Sequence, residues 1–317
     1  MNDLKKSRKL VESYLSEWVS DLPDTGLYEP MRYLLSMEAK RVRPAMLLMA
    51  AEMFGVKPEN AIDEALAIEV FHNFSLMHDD IMDEAPLRRG QPTVHSKWDV
   101  STAILSGDAM LVKAYQLMGQ NAKALQVFSR YALQVCEGQQ LDMDFEKLDT
   151  VSLDEYKEMI RLKTAVLLSC SLQIGAIIGR ATGAEVQHMG AFGEQLGLVF
   201  QLKDDLLDVF GDPTKVGKQQ GGDLRAGKKT WLLIKGLELS KQQDRTELID
   251  ELKKPAAERD VIRMAAVLEE LGARDQLMDA ISRAHQTAMA HMDSIPLPEK
   301  QKKHLVALAE SLLERVH

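Results

Sequence analysis

The stretch Phe71-His72-Asn73-Phe74-Ser75-Leu76-Met77-His78-Asp79-Asp80-Ile81-Met82-Asp83 reads as the end of an apolar helix that runs into carboxylates. Asp79 and Asp83 stand at i and i+4, which places both on one helical face, one turn apart. Like charges at that spacing repel and weaken a bare helix, so the arrangement calls for a counter-charge. A second copy, Asp204-Asp205-Leu206-Leu207-Asp208, follows the apolar run from Leu196 to Leu202. Two DDxxD helix ends in one chain predict two facing walls of carboxylate. Hard oxygen ligands with little His or Cys nearby suit Mg²⁺, which keeps waters and bridges carboxylates to a substrate's phosphates. A single such motif is weak, because an acidic helix end is usually just solvated. Two of them, each closing an apolar helix, point to metal-assisted phosphate chemistry.

Working outward, the composition favours helix. Apolar residues make up 45% of the 317 positions, enough for a sizeable core, while aromatics are only 5%. Ala, Leu, Met, Glu, Lys and Gln dominate, and all favour helix; no convincing period-2 strand is present. The expected class is all-α, in one domain spanning residues 1–317. A net charge of −9 argues against a general nucleic-acid surface, so basic residues must cluster to hold anions. Cys136 and Cys170 lack metal or redox spacing and fit a reduced, cytoplasmic setting. The start, Met1-Asn2-Asp3-Leu4-Lys5-Lys6, has no apolar core for a signal peptide. The run from Thr164 to Gly179 falls short of the ~20 apolar residues of a membrane span and reads as a buried core helix.

Several polar clusters punctuate the helices. Lys40-Arg41-Val42-Arg43-Pro44 places three cations just before an expected helix from Ala45 to Phe54, with Pro44 suited to its first turn. His72 precedes Asp79 by seven residues and falls on nearly the same stripe. Pro86-Leu87-Arg88-Arg89-Gly90-Gln91-Pro92 reads as a loop whose arginines suit bidentate diphosphate contacts. Asp142 to Asp154 reads as an acidic segment, partly loop. Lys163-Thr164 opens the long apolar helix, and glycines then recur from Gly175 to Gly197 as close-packing positions. The Gly/Lys stretch from Gly217 to Lys229 lacks the spacing of a nucleotide-binding P-loop.

Taken in order, these motifs resemble those of the trans-isoprenyl diphosphate synthases, the farnesyl and geranylgeranyl diphosphate synthase family. The resemblance runs from Lys40 to Thr230 and rests on Lys40 to Pro44, Ser75 to Asp83, Arg88-Arg89-Gly90, Gly107-Asp108, Lys163-Thr164, Phe200-Gln201 with Asp204 to Asp208, and Gly217-Lys218 through Lys228. Glu38-Ala39 replaces the Gly-Gly that usually precedes the basic motif. The resemblance implies a helical bundle around a deep apolar cavity, usually a homodimer. It implies a condensation of isopentenyl diphosphate with an allylic diphosphate, head to tail and all-trans. Asp79, Asp83 and Asp204 would hold roughly three Mg²⁺ ions on the allylic diphosphate, supported by Asp80 and Asp208. Arg88, Lys163, Gln201, Lys218 and Lys228 would contact the allylic substrate, and the Thr164 and Gln201 dipoles would stabilise its carbocation. Lys40, Arg43, His72 and Arg89 would bind isopentenyl diphosphate.

Product length follows from the helix before Asp79. Phe71 and Phe74 stack at i and i+3, and in this family bulky residues there form the floor under the growing chain. Farnesyl synthases tend to add an aromatic at the position of Ser75 or insert residues within the motif; this chain does neither. Geranylgeranyl diphosphate is the expected product, with farnesyl diphosphate next. Helix geometry alone places Ser75, rather than Phe74, more directly beneath Asp79. Other classes compete less well. A terpene cyclase would carry a different second metal motif and needs no second diphosphate site. A di-iron bundle would use Glu69-x-x-His72 and Glu185-x-x-His188, but leaves both DDxxD motifs unexplained. A non-catalytic partner subunit would tend to lose one acidic motif, and both are intact.

Overall fold

The computed structural model describes residues 2–211 and 221–314. Regular structure among them is helical, apart from one antiparallel pairing of Leu87–Arg88 (β1) with Gln91–Pro92 (β2). The chain divides into two compact units, each with its own core.

The first unit comprises Met1–Ala132, Leu167–Gly190 and Ile295–Leu308. Its helices include α1 (Asn2–Ser20), α2 (Glu29–Ser36), α3 (Val42–Met53), α4 (Ile62–Met82), α5 (Val94–Lys97) and α6 (Val100–Met118). Glu64 through Phe71 on α4 are buried in unbroken succession, the pattern of a helix packed on all sides. Such a helix needs small partners. Gly107 on α6 supplies one, since a Cβ there would fall 2.2 Å from His78 Nε2. The helix α9 (Val166–Ile178) meets α3 in the same way, for a Cβ at Gly175 would fall 2.4 Å from the Leu47 carbonyl oxygen.

The second unit comprises Leu133–Val166, Ala191–Ser294 and Ala309–His317. The long helices α7 (Ala122–Glu146) and α10 (Gly183–Phe210) carry the chain from one unit to the other. Within the second unit lie α8 (Leu153–Ile160), α11 (Gly222–Ala226), α12 (Trp231–Gln242), α13 (Glu247–Leu252), α14 (Val261–Glu270) and α15 (Ala273–Asp293). The chain then continues into α16 (Glu299–Glu314). Leu206, Val209, Trp231, Leu232, Val267 and Leu268 are among the side chains that close this core. Its helices start on local caps. Ser152 and Glu155 form a reciprocal capping box on α8, and the Thr230 hydroxyl accepts from Leu233 N–H on α12.

Two expectations change. Arg43 lies inside α3 rather than before it, because the left-handed backbone of Arg41 (φ 43°) turns the chain into the helix earlier. Lys163 and Thr164 do not open a helix; they lie within a π-helical turn, Arg161–Ala165, that joins α8 to α9. There Val166 N–H bonds the Arg161 carbonyl, five residues back, so the turn holds one more residue than an α-turn. Leu153–Ile178 is long and apolar enough to cross a membrane, but 78% of its apolar window is buried within the protein. That burial fits the reading as a core helix.

Candidate active site

In the first unit the acidic motif sits where expected, at the end of α4, with Asp83 as the capping residue after Met82. Its two aspartates at the start of the motif diverge. Asp79 is half-buried, whereas Asp80 turns inward and takes both its oxygens to Arg88. Arg88 Nε lies 2.9 and 2.8 Å from the two Asp80 oxygens, and Nη2 lies 2.7 Å from Oδ1. Burial pushes the Asp80 carboxyl up from its usual range, and Arg88 opposes that shift. Arg88, expected on substrate, is thus held by the motif itself. The next residue forms the hairpin. Arg89 and Gly90 both have positive φ (51° and 76°), the pattern of a type I′ two-residue turn. Only Gly adopts the second conformation freely, and the turn places Arg88 on β1 and leaves Arg89 exposed at the tip.

Arginines gather around His72. Burial, then the charges of Arg43, Arg89, Arg88 and Arg41, push the imidazole well below its ordinary pKa, so it is neutral at pH 7. Arg43 Nη1 lies 3.3 Å from His72 Nε2, a contact in which the guanidinium donates to the neutral ring. Burial lowers the pKa of Arg43 to about 10, which still leaves it charged at pH 7. Its Nε is buried with no hydrogen-bond partner. Orphaned donors of this kind are rare in proteins and fit an anion binder. Lys40 is exposed just before α3. Arg41 between them behaves differently. It is 3% exposed, with Nη1 2.6 Å from Glu69 Oε1 and Nη2 donating to the carbonyls of Leu35 (2.5 Å) and Met37 (3.2 Å). Glu69 also accepts from Asn73 Nδ2 at 2.9 Å.

The proposed floor residues are close together. The Phe71 and Phe74 rings stand 5.5 Å apart, and Phe71 packs edge-on against Phe128 at 5.2 Å. Phe74 packs on His78, the residue one turn ahead, at 4.8 Å. The row that contains Asp79 therefore begins at Ser75, whose hydroxyl donates to the His72 carbonyl at 2.8 Å.

In the second unit Asp204 is exposed at the acidic end of α10, and Asp205 again turns inward. Tyr156 hydroxyl (2.5 Å), Trp231 N–H (2.9 Å) and Gln201 Nε2 (3.3 Å) all donate to Asp205. Burial raises its pKa to about 7, against the lowering effect of those three donors. The same contact fixes the sense of the Gln201 amide, whose Oε1 accepts from the Thr164 hydroxyl at 3.3 Å. Asp208 has one buried oxygen, Oδ2, without a partner, and burial followed by the nearby Asp223 raises its pKa. A buried carboxylate oxygen without a donor, beside a second acid, suits a hard cation. Lys163 Nζ lies 2.6 Å from Asp142 Oδ2, and Lys228 Nζ lies 3.9 Å from the same oxygen. Lys218 lies outside the described residues.

Sequence reasoning missed Arg41, Asp142 and Asp205 as site-shaping residues. Asp205 carries a signal in hindsight, since the second aspartate of each motif turns inward. Asp142 carries none, because its partners are distant in the chain. The E-x-x-H pairs of the di-iron reading serve other ends. Glu69 answers Arg41, and Glu185 completes a capping box by accepting from Thr182 N–H and hydroxyl at 2.7 and 2.8 Å. Among the described residues no group of three or more His, Cys, Asp and Glu is arranged to hold a metal ion by itself.

An all-helical fold bearing two acidic helix ends, with arginines at one and paired lysines at the other, defines a diphosphate-handling enzyme class. The polyprenyl synthetase family profile matches residues 24–271, and the chain belongs to that family. A geranylgeranyl pyrophosphate synthase of Geoglobus acetivorans is 36% identical over 321 residues, covering 99% of this chain and 98% of that protein. A crystal structure of a geranylgeranyl pyrophosphate synthase superposes with a TM-score of 0.94 at 43% identity, covering 99% of both chains. A Caulobacter crescentus polyprenyl synthase, solved with calcium and isoprenyl diphosphate, gives a TM-score of 0.83 at 27% identity, covering 99% of this chain and 95% of that one.

Proposed function

We propose that the protein is a short-chain trans-prenyltransferase that joins isopentenyl diphosphate to allylic diphosphates, with geranylgeranyl diphosphate as its main product. The observation that carries this reading is the Arg43–His72 pair: a buried, unpartnered guanidinium N–H on α3 beside a neutral imidazole on α4, the helix that also carries Asp79. The similarity to geranylgeranyl synthases supports the product assignment.

Asp79, Asp83 and Asp204 would hold Mg²⁺, with Asp80 and Asp208 in support, and about three ions with the allylic diphosphate bound. When bound, the metal supplies Lewis-acid stabilisation of the departing diphosphate. The calcium and isoprenyl diphosphate of the Caulobacter enzyme support a divalent ion at this step. Lys163, Lys228 and Lys218, with Arg88, would neutralise the charge that grows on the leaving group, which is stabilisation specific to the transition state. Gln201, oriented by Asp205, directs its carbonyl oxygen towards the Thr164 hydroxyl. These dipoles would steady the allylic cation without attacking it. Lys40, Arg43, His72 and Arg89 would hold isopentenyl diphosphate so that its double bond meets the cation. The released diphosphate takes the proton, so no protein base is required. The chain would act as a single catalytic domain, in the cytoplasm. Association as a homodimer is supported by α6, which exposes Ile104, Leu105 and Val112 (45, 61 and 57%).

Arg89→Ala tests the division between the two substrates. Losing one phosphate contact should raise the KM for isopentenyl diphosphate about tenfold or more while leaving that for the allylic substrate near its normal value. Steady-state kinetics with each substrate varied in turn would contradict the assignment if the allylic KM moved instead.

Phe74→Ala tests the floor. Products should lengthen beyond geranylgeranyl diphosphate, as read by mass spectrometry. Because Phe74 is buried and its truncation costs about 3–5 kcal/mol, Phe74→Leu serves as a milder second variant. Unchanged products in both would shift the floor to Ser75 or Phe71.

A further inference from the structure

The two lysines assigned to the allylic diphosphate converge on a single carboxylate. Asp142 is 8% exposed on α7, and its Oδ2 lies 2.6 Å from Lys163 Nζ and 3.9 Å from Lys228 Nζ. Two ammonium groups drawn to one point repel each other, so they converge only around an anion. The approach is built into the backbone. Gly138 lies one turn before Asp142, and a Cβ there would fall 2.2 Å from Lys163 N and 2.6 Å from the Leu162 carbonyl carbon. Only glycine lets α7 come this close to the π-helical turn, and that contact sets the distance from Asp142 to Lys163.

We propose that Asp142 is a positioning residue that holds Lys163 and Lys228 together and competes with diphosphate for them. With no diphosphate present, the carboxylate keeps both lysines in place, so the site needs no rearrangement when substrate arrives. With diphosphate present, the carboxylate offsets one positive charge of the lysine pair, which weakens their hold on the anion and so hastens product release. The inference rests on the proposed prenyltransferase activity.

The test compares the full-length wild type with Asp142→Asn, in Mg²⁺, by calorimetric titration with inorganic pyrophosphate and by steady-state kinetics. Asp142→Asn should bind pyrophosphate about tenfold more tightly, because a competing charge within contact distance of both lysines is gone. It should lower both kcat and the allylic KM and leave the isopentenyl diphosphate KM unchanged. Asp142→Glu should restore the wild-type pattern. A merely structural role would weaken pyrophosphate binding, so equal or weaker binding in a folded Asp142→Asn protein overturns the inference. Should that variant not accumulate, Asp142→Ser gives the same readout. If the wild type binds pyrophosphate and condenses its substrates but the variant is unchanged, this inference alone falls. A wild type that does neither overturns the proposed function and the inference with it.

Discussion

Asp79→Ala and Asp204→Ala are each expected to lower turnover on the order of 10³-fold while the protein remains folded. Both residues sit at acidic helix ends where their side chains are at least partly open to solvent, so truncation removes little packing. What is lost is the hold on a divalent ion at the moment diphosphate charge develops. A lost metal ligand costs several kcal/mol of transition-state stabilisation, and about 1.4 kcal/mol is tenfold in rate. The neighbours make the contrast sharp. Asp80 and Asp205 have the same side chain one position on, yet one is engaged by Arg88 and the other by Tyr156, Trp231 and Gln201. Their substitution should cost stability as well as activity. Circular dichroism and steady-state turnover on the four variants check this, and near-normal activity in either Asp79→Ala or Asp204→Ala would sink the metal assignment.

The second large effect is on stability. Arg41→Met should lower unfolding free energy by about 3–5 kcal/mol, the usual cost of removing one partner of a buried ion pair. The side chains of Arg41 and Glu69 are 1% and 2% exposed, so Glu69 would be left charged without its counter-ion. Two backbone carbonyls would lose their donor as well. The Glu12 contact adds little, because that carboxylate is 47% exposed and screened by water. Domains are typically stable by only about 5–15 kcal/mol, so the loss is severe. The double variant Arg41→Met, Glu69→Leu removes both charges and should recover much of it. Denaturant unfolding followed by circular dichroism measures both. A single variant within about 1 kcal/mol of wild type would contradict the account of Arg41 as a buried anchor of the basic segment.

These contrasts also show what can be read from sequence. The all-helical class was legible because composition and apolar runs act locally, and both acidic motifs lie at the helix ends that their patterning indicates. The basic segment was legible as a cluster, but not as a division of labour. Lys40 and Arg43 are available to an anion while Arg41 is spent on Glu69, and only tertiary contact separates them. The π-helical turn was invisible for a related reason. Its one-residue insertion has no local breaker to mark it and lies where Gly138 of another helix approaches closely. Asp142 lay within an acidic segment that read as partly loop. Its meaning comes from Lys163 and Lys228, which the fold brings to it.

The central claim is a Mg²⁺-dependent, head-to-tail condensation. It is tested most directly by mass spectrometry of the products formed from isopentenyl diphosphate with dimethylallyl, geranyl or farnesyl diphosphate, with Mg²⁺ present and with it chelated. The account predicts that geranylgeranyl diphosphate accumulates from the allylic substrates with Mg²⁺ and that none forms with chelator. Failure to join isopentenyl diphosphate to any of the three, or condensation undiminished by chelation, would contradict it.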